Sequence, residues 1–234
     1  MREFFDLSHA LGSDQPFFQL DAFALQQHRF FANEPLFASV PDLAERFKRD
    51  ILSIQSSGPY YLGGMCEGGI IALEIALQLQ AEGRKVALLA EFDTPVNGYW
   101  HKSPIDRLRQ GCDLILSGRL LSRARERYDA RRKRRRPPMS EHEHRRVRIS
   151  NHIWKTIRAY GPNRIFEGEI QIFRAPRPAI WFYEDVVKGW RARASKGIRV
   201  HEVVGEHVKL FCDPVSQEII ANVIQQAHRH SRTN

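Results

Sequence analysis

Chemistry in this chain concentrates where a cysteine sits between closely spaced glycines, in Gly63-Gly64-Met65-Cys66-Glu67-Gly68-Gly69. The apolar β-prone residues Tyr60 to Leu62 precede it and the apolar-periodic run Ile70 to Leu79 follows. That is the strand, turn and helix context of a nucleophile elbow, with sulfur where the commoner Gly-x-Ser-x-Gly form has oxygen. The glycines suit a tight reversal in which strand and helix backbones nearly touch, so Gly64 and Gly68 are expected to supply the lack of bulk. A helix N-terminus behind Cys66 would aim N–H groups at the sulfur and favour thiolate. The plainer alternative is a glycine-rich turn holding a buried, inert cysteine.

A nucleophile of this kind needs a base and an acid that orients it, and in open α/β sheets such groups lie just past the carboxyl ends of strands. Asp93 follows the apolar run Val86–Phe92, and His207 follows Ile198–Val204 in Val204-Gly205-Glu206-His207. The chain order is thus nucleophile, acid, histidine, as in hydrolases built on this elbow. Asp93, standing before Thr94-Pro95, also fits a simple turn former, and Asp185 is a rival acid after the strand Glu169–Phe173. Among the other histidines, His142, His144, His152, His228 and His230 read as surface residues, His201 falls inside a strand, and His9 and His28 lack a strand end. Cys212 is assigned to packing.

Several elements must position these groups. Phe4–Leu11 reads as a helix closed by Gly12, Pro16–Leu20 as a short strand, and Asp21–Phe37 as irregular and aromatic-rich. Val40–Gln55 carries Leu43, Phe47, Ile51 and Ile54 at helical spacing, with Pro41 in its first turn. A strand to Gly63, a helix from Gly69 to Gln80 and the continuous apolar strand from Val86 follow. From about Tyr99 to Tyr160 the alternation breaks into helical stretches, Ile105–Leu121 and Glu141–Ala159. It resumes with the strands Glu169–Phe173 and Ile198–Val204 and a last helix over Val215–His228. Alternating strands and helices imply an α/β fold with a mostly parallel doubly wound sheet and a helical lid at about 99–160.

The 234 residues, 42% of them hydrophobic, suit one domain spanning 1–234. Three cysteines, Cys66, Cys112 and Cys212, without metal-binding spacing fit a reducing, cytoplasmic compartment, and no segment has the length and apolarity of a membrane span. Net charge is +9, concentrated in Arg123–Arg136 and continued by Arg145, Arg146 and Arg148. Only Tyr128 interleaves the run, so base stacking has little to work with and nucleic acid is disfavoured. An electrostatic docking surface for an acidic partner is the preferred reading.

Taken together, Phe4-Phe5-Asp6-Leu7, Leu11 to Pro16, Gly58 to Gly64, Asp93-Thr94-Pro95, Gly189-Trp190 and Val203 to His207 resemble the thioesterase domain of nonribosomal peptide and polyketide synthetases, a branch of the α/β-hydrolase superfamily. The likeness covers nearly all the chain except the variable lid. It implies Cys66 as nucleophile in a family that usually carries serine, Asp93 as acid, His207 as base, and the backbone N–H of Glu67 as one oxyanion donor. The family's opening strand and glycine-containing loop, which bear a second donor, would fall upstream of Met1. The chain is therefore expected to be N-terminally truncated relative to the family: it starts at a wrongly chosen residue, or is a fragment of a longer protein, or is catalytically impaired. The resemblance further implies an acyl or peptidyl carrier protein as partner, presenting substrate on phosphopantetheine, with no resident cofactor or metal. Arg131, Arg132, Arg134, Arg135 and Arg136 would dock it. Two other functions stay open: a noncatalytic binding module, and a carrier-independent ester or lactone hydrolase.

Overall fold

The structure, a computed structural model, describes residues 3–94, 96, 125, 140–175, 186–205 and 207–233. The expected helix Ile105–Leu121, the arginines 131, 132 and 134–136, the rival acid Asp185 and Cys112 lie outside the described residues.

Among the described residues, four parallel strands form one sheet in the order β1 (Tyr60–Met65), β2 (Val86–Phe92), β3 (Ile170–Arg174), β4 (Ile198–Glu202). The continuous apolar start of β2, Val86 to Ala90, follows from helices on both faces. Because successive side chains point to opposite sides, Leu89, Ile170 and Ile172 enter one core with Ile70, Leu73 and Phe47. Leu88, Ala90, Phe92 and Phe173 enter a second core with Leu7, Phe211 and Ile220. The first layer is made by α3 (Val40–Ile54), α4 (Glu67–Ala81) and α5 (Glu141–Ala159), the second by α1 (Glu3–Leu11) and α7 (Pro214–Thr233). A short helix, α6 (Val186–Arg191), buries Trp190, whose Nε1 donates to the Thr94 carbonyl at 2.8 Å. Fully burying an aromatic or aliphatic side chain of this size stabilises by roughly 1.5–3 kcal/mol, so the two cores hold the strand ends firmly.

Two expectations fail. Asp21–Phe37 is not irregular: α2 (Ala22–Phe31) forms because the Asp21 carboxylate accepts the Ala24 N–H at 2.9 Å as an N-cap. Pro16–Leu20 is not a strand, since no strand lies alongside to complete its backbone hydrogen bonds. Among the described residues, β1 pairs only with β2 and so forms an edge of the sheet.

Of the segment expected to form a lid, the described residues include α5, opened by a Ser140–Glu143 capping box. Its guanidinium groups lie over α2 rings: Arg145 over Phe31, Arg146 over Phe23 and Arg148 over Phe30, at 5.8, 5.6 and 5.5 Å. These continuations of the basic run therefore tie α5 to α2.

Candidate active site

The first turn of α4 starts directly behind β1, with Cys66 alone between them. Cys66 has φ 54° and ψ −122°, in the left-handed region, and its N–H donates to the Phe92 carbonyl at 3.2 Å. A Cβ on Gly64 would stand 2.2 Å from the Gly68 carbonyl oxygen, so strand and helix backbones meet there as the sequence implies. On the helix side the expectation needs correcting. A Cβ on Gly68 would meet nothing within 4 Å, whereas one on Gly69 would stand 1.9 Å from Glu91 Oε2 and 2.2 Å from Thr94 Oγ1. Gly69, not Gly68, lets α4 settle onto β2.

Asp93 also takes a left-handed backbone, φ 49°, and its N–H donates to the Phe173 carbonyl at 2.9 Å. This turns its fully buried carboxylate toward the short 3-10 turn His207–Lys209. There Asp93 Oδ2 and His207 Nδ1 are 2.7 Å apart, with His207 8% exposed. Met65 pairs with Phe92 in register, so Cys66 and Asp93 leave adjacent strands side by side, and the Asp93 charge acts on the sulfur. The acid and histidine of the sequence reading are thus in contact, and the elbow cysteine is on the neighbouring strand tip.

Burial pushes the Cys66 thiol well above its ordinary range, and the Glu67 carboxylate adds to the rise by its charge and by accepting the thiol hydrogen. The Glu67 backbone N–H at the sulfur opposes this without overcoming it. Burial thus works against the thiolate that a helix N-terminus would favour. Sequence reasoning missed this role of the Glu67 side chain, although an acid directly after a nucleophile was a readable signal.

A cavity of about 900 Å³ opens at the elbow, walled by Leu7 and Phe17 on one side, Ile71 and Ile75 on another, and Trp154 of α5. Cys66, Glu67 and Gly68 line it. That volume suits an apolar ligand of substantial size.

Other predicted positions fall elsewhere. Cys212 is exposed rather than packed. His152 and His228 are half-buried rather than at the surface: His152 Nε2 lies 2.8 Å from the Phe37 carbonyl, and His228 stacks on Tyr61 with ring centres 4.0 Å apart. His201 Nε2 reaches Gln171 Oε1 at 2.8 Å within the sheet. Among the described residues no three acidic, histidine or cysteine side chains gather as metal ligands, and no helix is long and apolar enough to cross a membrane.

Residues 2–108 match the thioesterase domain family. The chain is 36% identical to malpinin synthetase of Mortierella alpina over 104 residues, 44% of this chain and 1% of that protein. It spans no more than about a tenth of the length of the curated relatives compared. The NocB thioesterase domain from the nocardicin cluster superposes with a TM-score of 0.56 at 26% identity, covering 85% of this chain and 78% of that one. The RedJ thioesterase of the prodiginine biosynthetic pathway in Streptomyces coelicolor superposes with a TM-score of 0.60 at 15% identity, covering 96% and 84%. The fold is the α/β-hydrolase fold of these domains.

Proposed function

We propose that this chain, whose residues 2–108 match the thioesterase domain family, releases an acyl or peptidyl chain from a phosphopantetheine thioester through an acyl-Cys66 intermediate. The observation that carries the reading is the buried Asp93–His207 pair at the end of β2, beside the elbow that presents Cys66.

Asp93 holds His207 by Nδ1, which leaves Nε2 as the nitrogen for proton transfer. With the thiol kept protonated, His207 removes its hydrogen as sulfur attacks the thioester carbonyl, rather than in an earlier step. The Glu67 N–H donates to the oxyanion that forms. Collapse breaks the carbon–sulfur bond to pantetheine, and the departing thiolate takes the proton from His207. Water, an amine or a hydroxyl then attacks acyl-Cys66, His207 again accepting a proton and returning it to sulfur. One thioester replaces another in the first half, so the acyl group stays activated and amide or ring formation is open alongside hydrolysis. The substrate comes on a carrier protein, and the basic run with Arg131, Arg132 and Arg134 to Arg136 supplies attraction for its acidic surface.

Intact-mass measurement after mixing the protein with an acyl-pantetheine thioester tests the reading. The expected result is a mass gain of one acyl group that C66A abolishes. No adduct, or an adduct unchanged in C66A, rejects it.

A further inference from the structure

Glu67 lies where an ordinary solvent-facing helix acid would not. It is half-buried, directly follows the nucleophile at the elbow, and faces an apolar cavity. Among the described residues lining that cavity there are three acids and neither lysine nor arginine. Two of the acids are already engaged: Asp21 caps α2, and Asp50 pairs with Arg46 at 2.7 Å. Glu67 has no ion-pair partner among the described residues, and its carboxylate works against sulfur ionisation. A negative charge beside the nucleophile is an asset where the substrate brings the positive charge that cancels it.

We propose that Glu67 selects aminoacyl thioesters, gripping the free α-ammonium group of the acyl chain while Cys66 attacks the adjacent carbonyl. In the tetrahedral adduct the amine nitrogen is three covalent bonds from the sulfur, and Glu67 is the next residue after Cys66 on the same cavity wall, which puts its carboxylate in position to meet that amine. The ammonium pairs with the carboxylate and neutralises its charge. The sulfur then gives up its proton to His207 more readily, which couples recognition of the amine to activation of the nucleophile. This rests on the acyl-Cys66 reading above and adds a substrate class to it.

Two measurements test the proposal. In the first, leucyl and N-acetyl-leucyl thioesters of N-acetylcysteamine, alike except for the charge, are compared by rate of acyl-Cys66 formation. The intact chain is expected to prefer the free amine by about tenfold to a hundredfold, as for a hydrogen bond to a charged group, and E67Q to bring the ratio near one. In the second, alkylation of Cys66 by iodoacetamide is followed in the unaltered protein, so the result does not depend on a variant folding. Glycinamide is expected to accelerate it and N-acetylglycinamide to have no effect. Equal acylation by both esters, or equal loss with both in E67Q, overturns the amine selection and leaves the thioesterase reading standing. No acyl adduct with either ester overturns both.

Discussion

Asp93 Oδ2 and His207 Nδ1 are 2.7 Å apart although 114 residues separate them along the chain. The contact is set by the backbone rather than by side-chain search: a left-handed turn at Asp93, pinned by its N–H to the Phe173 carbonyl, aims the carboxylate, and the 3-10 turn carries the ring to it. With asparagine in place of Asp93, the ring loses its anionic partner and its fixed tautomer. D93N is expected to slow acyl-Cys66 formation by about three to four orders of magnitude, with the melting temperature changed far less. Single-turnover mass spectrometry with a parallel melt checks this; a loss below tenfold would remove Asp93 from the mechanism.

Gly64 and Gly68 look equivalent in the motif and are not equivalent in space. G64A drives a methyl group into the Gly68 carbonyl, a backbone clash with no flexible atom to yield, and is expected to destabilise by about 3 kcal/mol or more. G68A meets open space inside a helix and is expected to be neutral or to stabilise by up to about 1 kcal/mol. Denaturant melts of the two variants give the comparison directly.

Glu91 lies fully buried beneath the elbow, paired in register with Gly64 and against the first turn of α4. Burial pushes its carboxyl well above the usual range, with the Thr94 hydroxyl opposing in part. The folded protein therefore holds a proton here that the unfolded chain releases near pH ~4.3. Stability from this group is complete below that pH and falls as pH rises toward the elevated folded value. E91Q, neutral throughout, is expected to flatten that slope in urea midpoints measured from pH 4 upward; an unchanged slope would assign it to other groups.

Cys66 should react sluggishly with iodoacetamide at neutral pH, since burial and the Glu67 carboxylate both keep the thiol protonated. The rate is expected to climb through alkaline pH, with its midpoint above the ~8.5 of a free cysteine. Exposed Cys212 serves as the internal comparison, resolved by peptide mass mapping.

The end of Val86–Phe92 was legible because a parallel strand buried on both faces begins as a continuous apolar run, and that of Ile198–Val204 because Gly205 closes a β-branched stretch; these mark where Asp93 and His207 emerge. Cys66 was legible from the glycines around it. Glycine spacing alone does not tell which Cα faces another backbone, so the role of Gly69 stayed hidden until the side chains of Glu91 and Thr94 were placed against it. The N-cap at Asp21 was readable but was masked by the aromatic density of Phe23, Phe30 and Phe31, which suggests no period. Pro16–Leu20 has strand composition, yet a strand exists only where a neighbour completes its hydrogen bonds. The sulfur's protonation state depended on desolvation, a property of the assembled cavity that no local motif encodes.

The left-handed backbone at Cys66 also means that the protein holds its nucleophile under tension, at a cost on the order of 1–3 kcal/mol for a residue with a Cβ. Alanine there gives up the chemistry and keeps the tension, whereas glycine gives up both. C66G should therefore melt above C66A despite glycine's greater freedom in the unfolded chain, and the difference would measure how much durability the fold forgoes to keep one sulfur cocked.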